Sequence, residues 1–318
     1  MINQDIDKKV LFDPLKNGVN ELYILSGYAT HNMLSWYIKN LPDDLTNPIK
    51  ISLLYGMASC DGVSKSVHKG FVELVKKDFS PKVSNIECSY IYEGSAVHSN
   101  VLIWAKDGDP IEAYTGSAYF TQKSFVGIHR QETMVRCNPK EAMDFYQSCI
   151  DRSIYVQHSE VEDCVKIYAK HPILDHETDL RNALEQEGVK LSLLSRNGEP
   201  GDHSGLNWGQ RENRNPNEAY IPLPAAISKK GYFPLEKKHF TALTDDGFSL
   251  ILRVEQENNK AITTPERNSD LGEYFRRRLG LANGSKITKA NLNKYGRTDV
   301  IFLRLDEETY YMDFSEPR

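Results

Sequence analysis

Nowhere does this chain of 318 residues hold an apolar run approaching the roughly 18–20 residues that cross a bilayer. The opening residues, Met1-Ile2-Asn3-Gln4-Asp5, lack a basic start followed by an apolar stretch. No secretory leader is expected there, and the reading is a soluble, cytoplasmic protein. Cysteine is scarce and scattered: Cys60, Cys88, Cys137, Cys149 and Cys164 form an odd set without a C-x-x-C pair. That excludes a disulfide framework and a zinc ribbon, and no metal site is expected. The glycines never assemble into G-x-x-x-x-G-K-[ST], so no nucleotide cofactor is expected in this chain. An excess of positive charge is missing too. With a net charge of −5, the sum gives no electrostatic case for a nucleic-acid partner, and only the distribution of charge can make one.

What is present is ordinary globular material, 40% hydrophobic and 26% charged, which is enough to build packed cores. Single cores stop growing near about 250–300 residues, so two domains are expected. Glu21 to Tyr28 reads as a buried strand closed by Gly27, and His31 to Leu41 carries apolar residues at helical spacing. Ile49 to Gly56, followed by a helix from Val63 to Lys77, repeats the unit. Alternation of this kind predicts an α/β domain, its mostly parallel or mixed sheet covered on both faces. Asn85 to Tyr92 is the next strand. Val101–Trp104 and Ile111–Tyr114 flank Lys106-Asp107-Gly108-Asp109-Pro110, whose turn chemistry predicts a hairpin. Asn138 and Pro139 open a further helix.

The hairpin sets His98 and Gly116-Ser117 at the same end of adjacent strands, with Glu132 leading into the strand after them. Polar groups gathered at strand ends mark a site rather than a core. Residues 171–203 turn polar and loop-rich, and beyond them the pattern changes to short strands separated by turns: Glu218–Leu223, His239–Leu243, Phe248–Val254, Val300–Leu305 and Thr309–Phe314. A small β-barrel or sandwich is expected, with Phe248, Leu250 and Leu252 in its core. Two segments interrupt those strands with residue types that read base edges and phosphates. One holds Trp208, Gln210, Arg211, Arg214, Asn215 and Asn217; the other holds Lys260, Thr263, Thr264, Asn268 and Ser269 and runs into Arg276-Arg277-Arg278. Those three arginines read as a solvated helix face, with at least one of them buried in an ion pair and phosphate contacts at most.

The stretch from His98 resembles the phospholipase D type nuclease motif, His-x-Lys followed by Gly-Ser-x-Asn, with a strand-borne glutamate behind it. The second half is similar to the C-terminal part of NgoFVII-type restriction endonucleases. That similarity runs from Ser204-Gly205-Leu206-Asn207-Trp208-Gly209-Gln210-Arg211, through Leu271-Gly272-Glu273-Tyr274-Phe275-Arg276, to Lys294-Tyr295-Gly296-Arg297-Thr298-Asp299. The likeness covers nearly the whole chain. It implies a phospholipase D-like nuclease and dimerisation domain over 1–170, a linker over 171–203, and a B3-like pseudobarrel over 204–318 that reads double-stranded DNA through two arms. It further implies metal-independent phosphodiester hydrolysis through a phosphohistidine. Each chain holds one such motif, so a homodimer would build a single composite site from two copies of His98. Some relatives act with a separate ATP-dependent helicase-like partner, which would be the source of any ATP dependence.

The catalytic set implied is His98 as nucleophile, Asn100 and Ser117 at the phosphate, and Glu132 fixing the tautomer of the histidine. His129 is given no chemistry. The motif lysine is here Asn100 and the motif asparagine is Tyr119. Lys106, Lys123 and Arg130 lie near enough in sequence to replace the missing cation, although the hairpin tip aims Lys106 away from His98. These departures keep a second reading open, a sequence-specific DNA-binding protein whose nuclease centre is impaired. A phospholipid hydrolase is disfavoured, since no membrane-directed amphipathic segment is found.

Overall fold

The computed structural model describes residues 1–127 and 131–316, and it resolves into two compact units, Met1–Lys170 and His171–Arg318. His129 and Arg130 fall outside the described residues. No helix among the described residues is long and apolar enough to cross a membrane.

Among the described residues the first unit holds nine strands: β1 (Glu21–Ser26), β2 (Ile49–Tyr55), β3 (Val63–Ser64), β4 (Val83–Ile91), β5 (Asn100–Lys106), β6 (Asp109–Gly116), β7 (Met134–Cys137), β8 (Ser153–Tyr155) and β9 (Ile167–Tyr168). Seven of them form a mixed sheet in the order β7-β6-β5-β1-β2-β4-β8, while β3 and β9 make a separate parallel pair. Strands β1, β2 and β4 run parallel, and β5 lies antiparallel to β1. Burial of nearly every residue of β2 fits a sheet covered on both faces. Helices His31–Lys39 and Pro139–Ile150 start where their caps say they should: Thr30 accepts from the Met33 amide, and Asn138 from Lys140 and Glu141. The helix expected from Val63 begins instead at Lys65, because Val63 and Ser64 pair with β9.

The β5–β6 hairpin turns at Asp107 and Gly108, whose φ values of 50° and 90° are those of a tight two-residue turn. Its register puts Asn100 opposite Gly116. Since β1 sits between a parallel and an antiparallel neighbour, one rim of the sheet collects the ends of β1, β2 and β6 with the starts of β5 and β7.

The second unit holds β10 (Val189–Ser192), β11 (Ile221–Pro222), β12 (His239–Thr244), β13 (Ser249–Glu255), β14 (Ala261–Thr263), β15 (Asp299–Arg304) and β16 (Thr309–Asp313). They form one sheet in the order β10-β15-β16-β12-β13-β14-β11, and its outer members β10 and β11 touch, so the sheet curls into a nearly closed pseudobarrel. Phe233, Phe240, Phe302 and Tyr310 fill its centre. Residues 171–203, expected as a linker, belong to this unit: helix Glu177–Glu187 packs on β15, β10 pairs with β15, and Leu191 and Leu193 lie in the core. Leu250 and Leu252 are core, but Phe248 is 49% exposed and lies beneath the Arg277 guanidinium.

Candidate active site and nucleic-acid interface

Two glycines open the rim of the first sheet. A Cβ on Gly56 would meet the Val97 carbonyl oxygen at 2.0 Å, and one on Gly27 would meet the His98 carbonyl oxygen at 3.0 Å. Their bare backbones let the segment before β5 cross the ends of β1 and β2, where the Val97 amide donates to the Gly56 carbonyl at 2.9 Å. Gly116 does the same for the approach to β7, since a Cβ there would lie 2.0 Å from the Thr133 carbonyl oxygen.

His98 is exposed on this rim, and its hydrogen-bond partner is Tyr119, whose hydroxyl lies 3.1 Å from Nδ1 and 3.2 Å from Nε2. The ring of Tyr28 packs edge-on against both, with centroid distances of 5.8 Å to His98 and 5.0 Å to Tyr119. Its hydroxyl donates to Asp61, and that bond, with some burial, pushes the Tyr28 pKa up to about 12.

Glu132 stands in a second cluster. One carboxylate oxygen accepts from the Ser117 hydroxyl and the other from Ser124 at 3.0 Å, while Ser117 Oγ also accepts the Thr133 amide at 3.0 Å. Neither Glu132 nor Ser117 is hydrogen-bonded to His98 among the described residues; the hydroxyl that reaches its imidazole is that of Tyr119.

Asn100 is only 4% exposed. Its Oδ1 accepts from Ser26 Oγ at 2.8 Å and the Gly27 amide at 3.2 Å, and its Nδ2 donates to the carbonyls of Gly116 at 3.2 Å and Ser117 at 3.4 Å. This amide ties the ends of β1, β5 and β6 together; it does not reach outward to a phosphate. Among the described residues no group of three His, Cys, Asp or Glu side chains could hold a metal ion.

In the second unit the expected arms divide into residues that face outward and residues that build the arm. Arg211 and Arg214 are exposed, and Arg214 stacks 4.2 Å over the Trp208 ring while pairing with Glu218 at 2.6 Å. Arg211 spends one donor on the His203 carbonyl at 3.0 Å and keeps the rest of its guanidinium at the surface. Asn215 is exposed but accepts the Asn217 amide. Gln210 and Asn217 work inward: Gln210 donates to the carbonyls of Pro216 and Gly284, both at 3.0 Å, and Asn217 is 7% exposed and accepts the Gly284 amide at 2.7 Å.

The second arm differs more from expectation. Thr263 and Thr264 are 2% and 3% exposed, with hydroxyls donating to Glu255 and to the Arg267 carbonyl, and Ser269 is buried as well. Their polarity serves strand β14 and the start of helix Asn268–Arg278; only Lys260 and Asn268 retain exposure. Of the three helix arginines, Arg277 is exposed as expected, and the buried ion pair expected of at least one is that of Arg278. Arg276 is fully buried and donates to the carbonyls of Leu206, Pro216, Asn217, Gly272 and Ser285, and burial lowers its pKa. Arg277 pairs with Asp246 and Arg278 with Asp245, both at 2.7 Å.

Sequence reasoning missed Tyr28, Asp61, Ser124 and the inward role of Arg276. Tyr28 carried one usable signal, its place directly after the strand-closing Gly27 on the rim that also holds His98.

Residues 4–163 match the family model of the NgoFVII restriction endonuclease N-terminal PLD (phospholipase D) domain, and residues 182–306 match that of the NgoFVII C-terminal B3-like DNA-binding domain. No curated protein gives a significant match. Among solved structures, polyphosphate kinase from Porphyromonas gingivalis aligns with a TM-score of 0.28 and 13% identity, over 49% of this chain and 23% of that one. The chain thus spans less than a quarter of that kinase's length. Two matched domains, in this order and over most of the sequence, place the chain in the NgoFVII restriction endonuclease family.

Proposed function

We propose that this chain cuts DNA phosphodiester bonds through a phosphohistidine on His98, in a site shared between two copies of the chain, with sequence read by the second unit. The observation that carries the reading is the exposed imidazole of His98, held by a hydroxyl at about 3 Å on a sheet rim opened by Gly27 and Gly56. In this scheme a ring nitrogen forms a bond to phosphorus as the P–O bond to the leaving nucleotide breaks. The leaving oxygen takes a proton from His98 of the partner copy. Water then attacks phosphorus, gives its proton to that second histidine, and releases the first. Ser117 and Glu132 wall the phosphate site, Asn100 holds the rim in shape, and no metal ion takes part. Arg211 is the leading base reader, with Trp208, Arg214, Asn215, Lys260 and Asn268 beside the duplex; Gln210, Asn217, Thr263, Thr264 and Ser269 shape the arms. Any ATP dependence comes from a separate helicase-like partner.

A second reading is favoured by Asn100, whose amide is committed to four backbone and side-chain partners and brings no charge to the rim. It makes the chain a sequence-specific binder with a silent nuclease centre. Plasmid cleavage in EDTA, with and without a helicase-like partner, separates the two. Cutting that disappears in His98→Ala supports the nuclease. Specific binding without cutting under either condition supports the binder, and cutting that survives His98→Ala removes His98 as nucleophile.

A further inference from the structure

We propose that Tyr119 is the positioning residue of His98, with Tyr28 and Asp61 bracing the pair; the inference rests on His98 acting as the nucleophile. Among the described residues Tyr119 is the side chain hydrogen-bonded to His98, since both oxygens of Glu132 accept from serines. A neutral imidazole carries one N–H and one lone pair, and only the lone pair attacks phosphorus. The Tyr119 oxygen stands almost equally far from both ring nitrogens, at 3.1 and 3.2 Å. A small rotation of the ring commits that oxygen to accept one N–H, which leaves the other nitrogen bare and aimed outward.

The brace has an equally specific geometry. The Tyr28 ring meets His98 and Tyr119 at interplanar angles of 88° and 83°, and its hydroxyl is anchored to Asp61, beyond β2. A Cβ on Gly27 would stand 3.0 Å from the His98 carbonyl oxygen and 3.2 Å from Tyr119 Cε1, so the glycine makes room for both partners at once. Two tyrosines and a carboxylate from three other segments thus limit how His98 can turn. Orientation of this kind matters because an ångström of misplacement costs on the order of a hundredfold in rate.

The test uses the full chain and two readouts. Single-turnover cleavage of a DNA duplex is followed for wild type, His98→Ala, Tyr119→Phe, Tyr28→Phe and Tyr28→Ala, and the tautomer of His98 is read from its imidazole 15N shifts without DNA. Tyr119→Phe keeps the ring and removes the hydroxyl. It is expected to slow cleavage by on the order of tenfold to a hundredfold, to leave DNA affinity and thermal stability unchanged, and to change the tautomer ratio of His98. Tyr28→Ala should slow cleavage comparably, and Tyr28→Phe much less. Unchanged cleavage or an unchanged tautomer in Tyr119→Phe overturns the inference while leaving His98 as nucleophile. Cleavage that persists in His98→Ala, or is absent from wild type, overturns both. A covalent DNA adduct mapped to Tyr119 would make that residue the nucleophile and also overturns both.

Discussion

At the scale of single residues, His31 shows how burial converts a titratable group into a pH dependence. It is 2% exposed, packs edge-on against Phe71, and faces Gly70 so closely that a Cβ there would stand 2.2 Å from the ring. Burial, with a smaller contribution from Lys77, pushes its pKa down to about 4. The unfolded chain, near the ordinary value of about 6.5, therefore binds the proton first as pH falls. The stability linked to neutral His31 is complete above about pH 6.5 and is lost progressively as pH drops toward 4, a change on the order of 3 kcal/mol. Urea titrations in a Trp208→Phe background, where Trp36 and Trp104 report on the first unit, should show this slope in wild type and a flatter one in His31→Gln. Equal slopes would remove His31 as the cause. Residue type alone says little about such directions. The place of His98 on the sheet rim was legible because it precedes a strand and a Gly-Ser turn. The inward commitment of Asn100, Thr263 and Thr264 was not, because polarity does not reveal which way a side chain points or which carbonyl claims it.

At the scale of elements, the sequence foretold most strands of the first unit and the starts of helices His31–Lys39 and Pro139–Ile150, since periodicity and caps are local signals. It missed β10 and β14, three or four residues each, which are too short to show a periodicity of their own. The glycines at strand ends are the elements' own contribution to the site. Gly56→Ala should press a methyl group onto the Val97 carbonyl, shift the segment bearing His98, cost about 1–3 kcal/mol, and abolish cleavage while DNA binding persists. Retained cleavage would show that the segment can yield. Arg276 is the corresponding device in the second unit, a buried guanidinium that gathers carbonyls from the 205–217 segment, its own helix and the 284–285 turn. Arg276→Met leaves those acceptors without their donor and should cost about 3 kcal/mol. Because the arm it holds carries Arg211, the ratio of specific to nonspecific DNA affinity should fall more than nonspecific affinity itself. Gel-shift titrations with matched and scrambled duplexes measure both, and a parallel decline would reduce Arg276 to a stability role.

At the scale of the whole molecule, the net charge of −5 gave no hint of DNA, and the family assignment rests on two matched domains instead. The proposed chemistry also sets how many chains make one site. Each chain offers a single His98 on its rim, while the proposed chemistry asks one histidine to attack and another to protonate. A pair of wild-type and His98→Ala chains can do only one of these. Co-refolding the two in equal amounts should therefore leave about a quarter of the cleavage rate of the same total amount of wild type, because random pairing gives that fraction of intact pairs. Chains that work alone would leave about a half. Sedimentation of the mixture checks that pairing took place. With dimers present, a loss of only one half would mean that each rim completes its own chemistry, and a second proton donor would then have to be sought around His98, starting with the Tyr119 hydroxyl that already touches it.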